Sequence, residues 1–250
     1  MSGHSKWSTI KRKKGKEDEK RGKIFTKLIK EISVAARHGG GDLDSNPRLR
    51  VAVDAAKANN MPKENIERAI KKGTGELEGV SYEEAVYEGY GPGGVALYVE
   101  VLTDNRNRTV GEIRHILTRH GGNMAEAGSV AWMFTPKGQI YVDAEKYDEE
   151  AVFLEASELG AEDFTSEAGL HVITTAVEAL HNIRDGLQKK GIEAREIEKV
   201  MVPSSTIRLD EKEAEKVLRL MEAIEDNDDV QRVNSNFDIS DEVMHKLQAS

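Results

Sequence analysis

The chain has 250 residues, of which 38% are hydrophobic and 32% are charged, and it contains no cysteine. These proportions exclude a fully disordered chain, and the missing thiols exclude disulfide scaffolds, cysteine zinc sites and thiolate catalysis. Because no apolar run approaches the roughly 20 residues of a membrane helix, and because a chain without cysteine suits a reducing compartment, we expect a cytoplasmic protein with no membrane partner.

The net charge of −9 is unevenly divided along the chain. Residues 1–72 carry 19 Lys and Arg against 9 Asp and Glu, a net charge of +10. The other 178 residues carry 17 against 36, a net charge of −19. This division predicts a basic module that binds a polyanion, joined to acidic domains with another role.

The basic charge is densest in an N-terminal arm, defined here as residues 6–23. Release of counterions from neutralised phosphates is expected to drive binding of nucleic acid by this arm, and Trp7 is suited to stacking on an unpaired base. A solvated Lys-rich tail is the alternative interpretation. Besides Trp7, the predicted nucleic-acid contacts are the cationic side chains of the arm: Lys6, Lys11, Arg12, Lys13, Lys14, Lys16, Lys20, Arg21 and Lys23.

Three helices are predicted in the N-terminal part. Apolar residues recur at three- and four-residue steps over residues 24–36, Asn46 and Pro47 are a cap and first-turn pair, and residues 62–73 end in a glycine. None of these helices carries the Arg, Asn and Gln cluster that reads base edges, so contacts to the nucleic-acid backbone are expected instead. The buried stripe of the second helix is predicted to be Leu49, Ala52, Val53 and Ala56.

Beyond residue 79 the pattern changes to alternating strands and helices, with two successive sets in the βαββαβ order. The sequence therefore predicts an α+β fold with three domains: an N-terminal helical domain followed by two ferredoxin-like α/β modules, one inserted in the other. The predicted boundaries are a basic arm plus three-helix domain at 1–78, a discontinuous module at 79–135 and 203–240, an inserted module at 136–202, and a C-terminal tail at 241–250.

Local signals place elements within these modules. Capping boxes at Thr109 and Thr175 predict the starts of two helices. Strands of the discontinuous module are expected at residues 130–134 and 205–209, and a strand at 85–90 is expected as an additional edge strand.

Little in the sequence indicates catalysis. The run GYGPGG at residues 89–94 matches a dinucleotide-binding fingerprint in its letters, but a strand rather than a helix follows it, so no cofactor is predicted. The seven histidines lack metal-site spacing, so no metal is predicted. No nucleophile elbow or P-loop occurs, and the acidic run at 222–229 is interpreted as a solvated helix end. We therefore predict no catalytic residues and a protein that is not an enzyme.

The polar segment of residues 103–109, TDNRNRT, lies between a predicted strand and a helix N-terminus. Arg106 and Arg108 are predicted as a second point of contact with phosphate, because such junctions often hold anions. The alternative is local: polar residues form the turn, and Thr109 caps the helix.

Long strings of this sequence resemble the YebC/PmpR family. They include MSGHSKWSTIK at residues 1–11 and TDNRNRT at 103–109, together with strings at residues 21–27, 46–50, 59–62, 87–95, 120–122 and 130–134. The resemblance implies three domains around a cleft and a cytoplasmic, non-enzymatic role in gene expression. Some members of that family are described as DNA-binding transcriptional regulators, and others, including a mitochondrial translational activator, act on the ribosome.

Three functions stay open at this point. The leading one is a nucleic-acid-binding regulator that contacts rRNA or tRNA on the ribosome, or promoter DNA. A basic arm without a base-reading helix favours an irregular RNA surface. The others are a protein-interaction adaptor built from the acidic domains and, more weakly, an enzyme of the inter-domain cleft. A monomer or a weak dimer is expected.

Overall fold

The computed structural model describes residues 18–167, 169–240, 242–243 and 246. Within that part of the chain, no helix is both long and apolar enough to span a membrane. Hydrophobic side chains are buried in three main clusters, one among the N-terminal helices and one under each of two four-stranded sheets. Burial of these clusters is the main stabilising contribution to the fold.

The N-terminal part consists of three helices: α1 (Asp18–Gly39), α2 (Pro47–Ala58) and α3 (Lys63–Thr74). Asn46 caps α2 as predicted, since its side-chain oxygen accepts the N–H of Leu49 at 3.1 Å. Its amide group also donates to the carbonyls of Ala35 and Gly40, so one side chain joins α1 to α2. The predicted stripe of α2 is confirmed as buried: Leu49, Ala52, Val53 and Ala56.

Helices α1 and α3 approach closely at Gly73. A Cβ at this position would lie 2.3 Å from the carbonyl oxygen of Ser33 on α1, so only glycine fits. Helix α3 continues to Thr74, and the left-handed cap is Gly75, with φ of 81°. The predicted third helix is present, and its terminal glycine is Gly75 rather than Gly73.

The rest of the described chain forms strands and helices in alternation. In chain order they are β1 (Glu83–Tyr90), β2 (Ala96–Thr103), α4 (Arg106–Arg119), β3 (Asn123–Met124), β4 (Phe134–Asp143), α5 (Glu149–Glu158), β5 (Asp163–Glu167), β6 (Leu170–Thr175), α6 (Leu180–Lys189), β7 (Ala194–Pro203), β8 (Ile207–Arg208), α7 (Glu211–Glu225), β9 (Val230–Ser235) and β10 (Phe237–Asp238).

The second sheet has the antiparallel order β5-β6-β4-β7, which is the ferredoxin-like order, and all its strands come from one continuous segment. The first sheet has the antiparallel order β3-β1-β2-β9. Its strands come from both sides of the second sheet in the sequence, and α4 and α7 contribute to the core beneath it. The α+β fold class with N-terminal helices is confirmed, and the exact domain boundaries stay a prediction.

Three strand predictions are wrong in detail. Strand β1 is not an edge strand, because it lies between β2 and β3. It thereby fills the place expected for residues 205–209, of which only Ile207 and Arg208 form a strand, paired in parallel with β10. Residues Ala131–Met133 form a 3₁₀ turn, and strand β4 begins only at Phe134.

Both predicted capping boxes are also wrong. Asn105 caps α4 instead of Thr109, because this stronger cap lies four residues upstream and its side chain accepts the N–H of Arg108 at 3.1 Å. Thr175 ends β6, and a 3₁₀ turn at Val177–Ala179 precedes α6.

Candidate nucleic-acid interface

Most of the predicted phosphate contacts lie outside the described residues: Lys6, Trp7, Lys11, Arg12, Lys13, Lys14 and Lys16. Lys20 and Arg21 belong to the first turns of α1. The position of α1 therefore fixes the point from which the arm starts, and the contacts that hold α1 are the first feature of the site.

Helix α1 is held by three lysines against the end of α7 and the loop between α7 and β9. Lys23, Lys27 and Lys30 occur at four- and three-residue steps, which places them on one face of the helix. The Nζ of Lys27 donates to the carbonyl of Glu225 at 2.6 Å, and Lys23 pairs with the exposed Asp226 at 3.2 Å. Lys23, predicted as a phosphate contact, thus has an acidic partner within the molecule.

The third lysine reaches a buried carboxylate. The Nζ of Lys30 lies 2.6 Å from Oδ1 of Asp229, and both side chains are more than nine-tenths buried. The same Nζ donates to the carbonyl of Asp228 at 2.8 Å and lies 5.5 Å from the ring centre of Tyr82. Paired and hydrogen-bonded charges of this kind are the form in which proteins bury ions.

Asp229 connects this lysine to the start of α4. Its Oδ2 accepts hydrogen bonds from the Thr109 hydroxyl at 2.6 Å and from the Arg108 guanidinium at 2.7 Å, and it lies 3.2 Å from the Thr103 hydroxyl. Burial raises the pKa of Asp229, but the hydrogen bonds from Lys30, Thr109 and Arg108 outweigh it and lower the pKa to about 2. The interpretation of residues 222–229 as a solvated helix end is wrong at Asp229.

The two arginines of the 103–109 segment also have partners within the molecule. Arg108 pairs with Asp104 at 2.8 Å as well as with Asp229, and these hydrogen bonds, that with Asp229 first, raise the pKa of its guanidinium. Arg106 pairs with Glu83 at 2.7 Å and donates to the carbonyl of Glu84 at 3.0 Å. Asn105 rather than Thr109 is the cap in this segment, and the phosphate contacts of Arg106 and Arg108 stay a prediction.

A second buried carboxylate, Glu88 on β1, shapes the loop at residues 125–133. Its Oε1 accepts the N–H of Gly128 at 2.6 Å, and its Oε2 accepts those of Val130 and Ala131 at 2.6 and 2.8 Å. Burial raises the pKa of Glu88, but these three hydrogen bonds lower it below its usual range. Sequence reasoning missed Glu88, because its partners lie about forty residues away and are backbone groups that no motif marks.

The braced loop presents Trp132 to solvent. The Trp132 side chain is 74% exposed. Its indole N–H donates to the carbonyl of Ser129 at 3.0 Å, and the hydroxyl of Tyr90 lies 3.4 Å from the same oxygen. No signal in the sequence indicates this exposure, since residues 130–134 match the apolar pattern of a buried strand.

The described part of the chain offers few groups arranged for metal binding or for acid–base catalysis. No group of three or more His, Asp or Glu residues there is arranged to hold a metal ion. His171 is 2% exposed, and its ring nitrogens lie 2.9 Å from the Ser166 hydroxyl and 2.9 Å from the carbonyl of Tyr147. At this degree of burial the His171 ring has no face open to a substrate, so the Ser–His pair is a structural contact.

Comparison with known families covers nearly the whole chain. Residues 5–76 match the TACO1/YebC protein N-terminal domain, and residues 82–237 match the TACO1/YebC second and third domain. The chain belongs to the TACO1/YebC family. The resemblance to YebC proteins inferred from the quoted strings is thereby confirmed.

Individual YebC relatives are similar along their full length. A protein of Geobacter sulfurreducens is 60% identical over 247 residues, which are 99% of this chain and 100% of the relative. One from Persephonella marina is 57% identical over 249 residues, with the same shares. Both are named probable transcriptional regulatory proteins. The crystal structure of a conserved hypothetical protein from Aquifex aeolicus has a TM-score of 0.85 and 49% identity, covering 91% of this chain and 96% of that one.

Proposed function

We propose that this protein is a non-catalytic, cytoplasmic regulator of gene expression whose N-terminal arm binds nucleic-acid phosphates. The observation that carries the proposal is the concentration of nine cationic residues at 6–23 in a chain of net charge −9. A polyanion is the partner that such a concentration of cations binds most favourably, since each neutralised phosphate releases counterions. The names of the relatives support a role in regulation.

The docking of α1 supports the same proposal. Lys30 and Asp229 hold α1, whose first turns contain the end of the arm, against the acidic part of the molecule. Helix α1 thereby has a fixed position relative to the first sheet. The acidic sheets, with most of the negative charge, then face protein or solvent while the arm contacts phosphates. Arg106 and Arg108 are secondary contacts in this proposal, because carboxylates already neutralise them.

Structured RNA on the ribosome is the partner we favour, and promoter DNA is the alternative. The exposed charged residues of α3 are mixed in sign: Lys63, Glu64, Glu67, Arg68, Lys71 and Lys72. Among the described helices of residues 18–74, none presents the Arg, Asn and Gln cluster that reads a major groove. The relatives' names favour DNA instead.

The deciding experiment is sedimentation with ribosomes at physiological salt in the presence of competing promoter-length duplex DNA. The test variant replaces Lys11, Arg12, Lys13 and Lys14 with Ala. The control replaces four exposed cations on helices of the same region: Lys57, Lys63, Arg68 and Lys71. Both variants remove the same amount of charge, so only an interaction specific to the arm separates them.

We expect the arm variant to stop sedimenting with ribosomes and the control to sediment like the wild type. The log–log salt slope of binding should fall by about 0.7–0.9 for each phosphate that the arm no longer neutralises. Retention on the duplex without sedimentation would favour the transcriptional role. Equal binding by the arm variant and the wild type would refute the arm as the phosphate-binding element and favour a protein-interaction adaptor.

A further inference from the structure

Trp132 is the most exposed of the large hydrophobic side chains in the described part of the chain. It is 74% exposed, whereas Val80, the next, is 55% exposed. Single exposed apolar residues are common on protein surfaces and need no explanation by themselves. What distinguishes Trp132 is the construction of the loop that carries it.

The loop is held by a charge that is expensive to bury. Glu88 is 6% exposed, and its carboxylate is compensated by the N–H groups of Gly128, Val130 and Ala131. The side chain of Val130 is fully buried and anchors the loop in the core. Gly128 has a φ of 89°, in the left-handed region. A loop fixed at both backbone and core presents its side chains in one arrangement, so the entropy cost of binding a ligand is small.

The orientation of the indole limits what it can recognise. Its N–H already donates to the carbonyl of Ser129, so its remaining contact surface is the aromatic face. An aromatic face binds flat groups by stacking, without regard to their hydrogen-bonding edges. The ligand that fits is a planar ring, and stacking does not discriminate between rings that differ in their hydrogen-bonding groups.

The surroundings favour a base over a phosphate at this point. Residues 125–131 contain no cation, and their one charged residue is the exposed Glu126, so this part of the loop offers no partner to a phosphate. Beside the loop, the N–H of Ser204 donates to the carbonyl of Met133 at 2.7 Å. The exposed Ser204, Ser205 and Thr206 thereby provide neutral hydroxyl groups for a sugar.

We propose that Trp132 is a stacking platform for an unpaired nucleobase of the bound nucleic acid. The inference rests on the proposed function, because the arm supplies the affinity for phosphates that the Trp132 loop lacks. Glu88 is then a positioning residue, which acts through the loop. The protein would contact one nucleic acid at two places, by charge at the arm and by stacking at Trp132.

The chain contains only two tryptophans, Trp7 and Trp132, so Trp7→Phe leaves Trp132 as the sole indole reporter. Its fluorescence is titrated with a short single-stranded RNA, with the same strand lacking its bases, and with a duplex of the same sequence. We expect quenching by the intact single strand and little change with the other two. In the wild-type background, Trp132→Ala should weaken binding of the single strand by about 5- to 150-fold, and Trp132→Phe should restore most of it.

Leu154→Ala, at another exposed apolar residue, is the matched control and should bind like the wild type. Glu88→Gln should weaken single-strand binding and leave duplex binding unchanged, which a mere loss of folding would not do. Equal quenching by the baseless strand, or unchanged affinity in Trp132→Ala while binding still depends on the arm, would overturn the stacking site and leave the proposed function intact. A fluorescence change with RNA-free ribosomal protein, but not with RNA, would overturn the base as ligand. Failure of the wild type to bind any nucleic acid would overturn both proposals.

Discussion

Glu88 and Asp229 are both buried carboxylates, 6% and 3% exposed, yet they are compensated in different ways. Glu88 accepts three backbone N–H groups from a single loop. Asp229 accepts from side chains, including Lys30 at a separation of 199 residues and Arg108 at a separation of 121. The pKa of each carboxylate is lowered, so both are anionic at neutral pH.

The difference between them is one of range. Backbone donors from one loop give Glu88 a local role, which is to fix the shape of residues 125–133. Side-chain donors from α1 and α4 give Asp229 a long-range role, which is to hold the N-terminal helices on the first sheet. A buried carboxylate therefore shapes a surface loop at Glu88, and at Asp229 it joins two parts of the molecule.

The largest effect should come from removing the long-range carboxylate. Asp229→Ala leaves the Lys30 ammonium buried without its counterion, so we expect the free energy of unfolding to fall by about 3–5 kcal/mol. Hydrogen exchange should rise in α1 as well as around Asp229, because the helix is no longer docked. Asp228→Ala, at the exposed neighbour, is the control and should change stability by less than about 0.5 kcal/mol. Equal stability of the two variants would show that the Lys30 pair does not hold the helix.

The local carboxylate should produce a smaller and confined effect. Glu88→Gln keeps the shape of the side chain but replaces an anionic oxygen with an amide that faces backbone donors. At roughly 1 kcal/mol for each of three charge-assisted bonds, we expect the free energy of unfolding to fall by about 3 kcal/mol at most. Amide exchange should accelerate at Gly128, Val130 and Ala131 but not in α1. Faster exchange in α1 would contradict the division into local and long-range roles.

The smallest of the three expected effects is the loss of stability when acid protonates Asp229. The pKa of Asp229 is lowered from 3.8 to about 2 in the folded protein, so its contribution is complete above the unfolded value and is lost as the pH falls toward 2. The expected decrease in stability is about 2 kcal/mol. Measurement of unfolding free energy against pH should show a decrease that is larger by this amount in the wild type than in Asp229→Asn, in which Glu88 still titrates. Identical pH profiles would mean that Asp229 is not the group that titrates.

The elements that the sequence predicted well are those set by neighbours along the chain. The stripe of α2 and its Asn46 cap depend on residues three and four positions apart, and both are confirmed. The ferredoxin-like second sheet is also formed by one continuous segment, so its strand order followed from the order of its elements.

The predictions that failed depend on competition or on distant contacts. Thr109 has the letters of a cap, but Asn105 takes that role, and the Thr109 hydroxyl binds Asp229 across 120 residues. Strand β1 takes the inner place of the first sheet, which leaves no room there for residues 207–208. Glu88 was missed because its partners are backbone groups, which no sequence motif marks. Trp132 was missed because its exposure is not indicated by the amino-acid pattern around it. The nucleic-acid contacts of the arm were predicted from charge alone and stay a prediction.

The threading of the first sheet has a consequence for the order of synthesis. Strand β9 completes that sheet by pairing with β2, and Asp229 lies just before it, so both arrive only after the whole second sheet has left the ribosome. The helices of residues 18–74 are therefore made early, but the Lys30–Asp229 pair can form only late. During most of translation α1 therefore lacks its buried ion pair with Asp229, and the helices are held to the rest of the chain by contacts made earlier, such as that of Arg48 with Glu84.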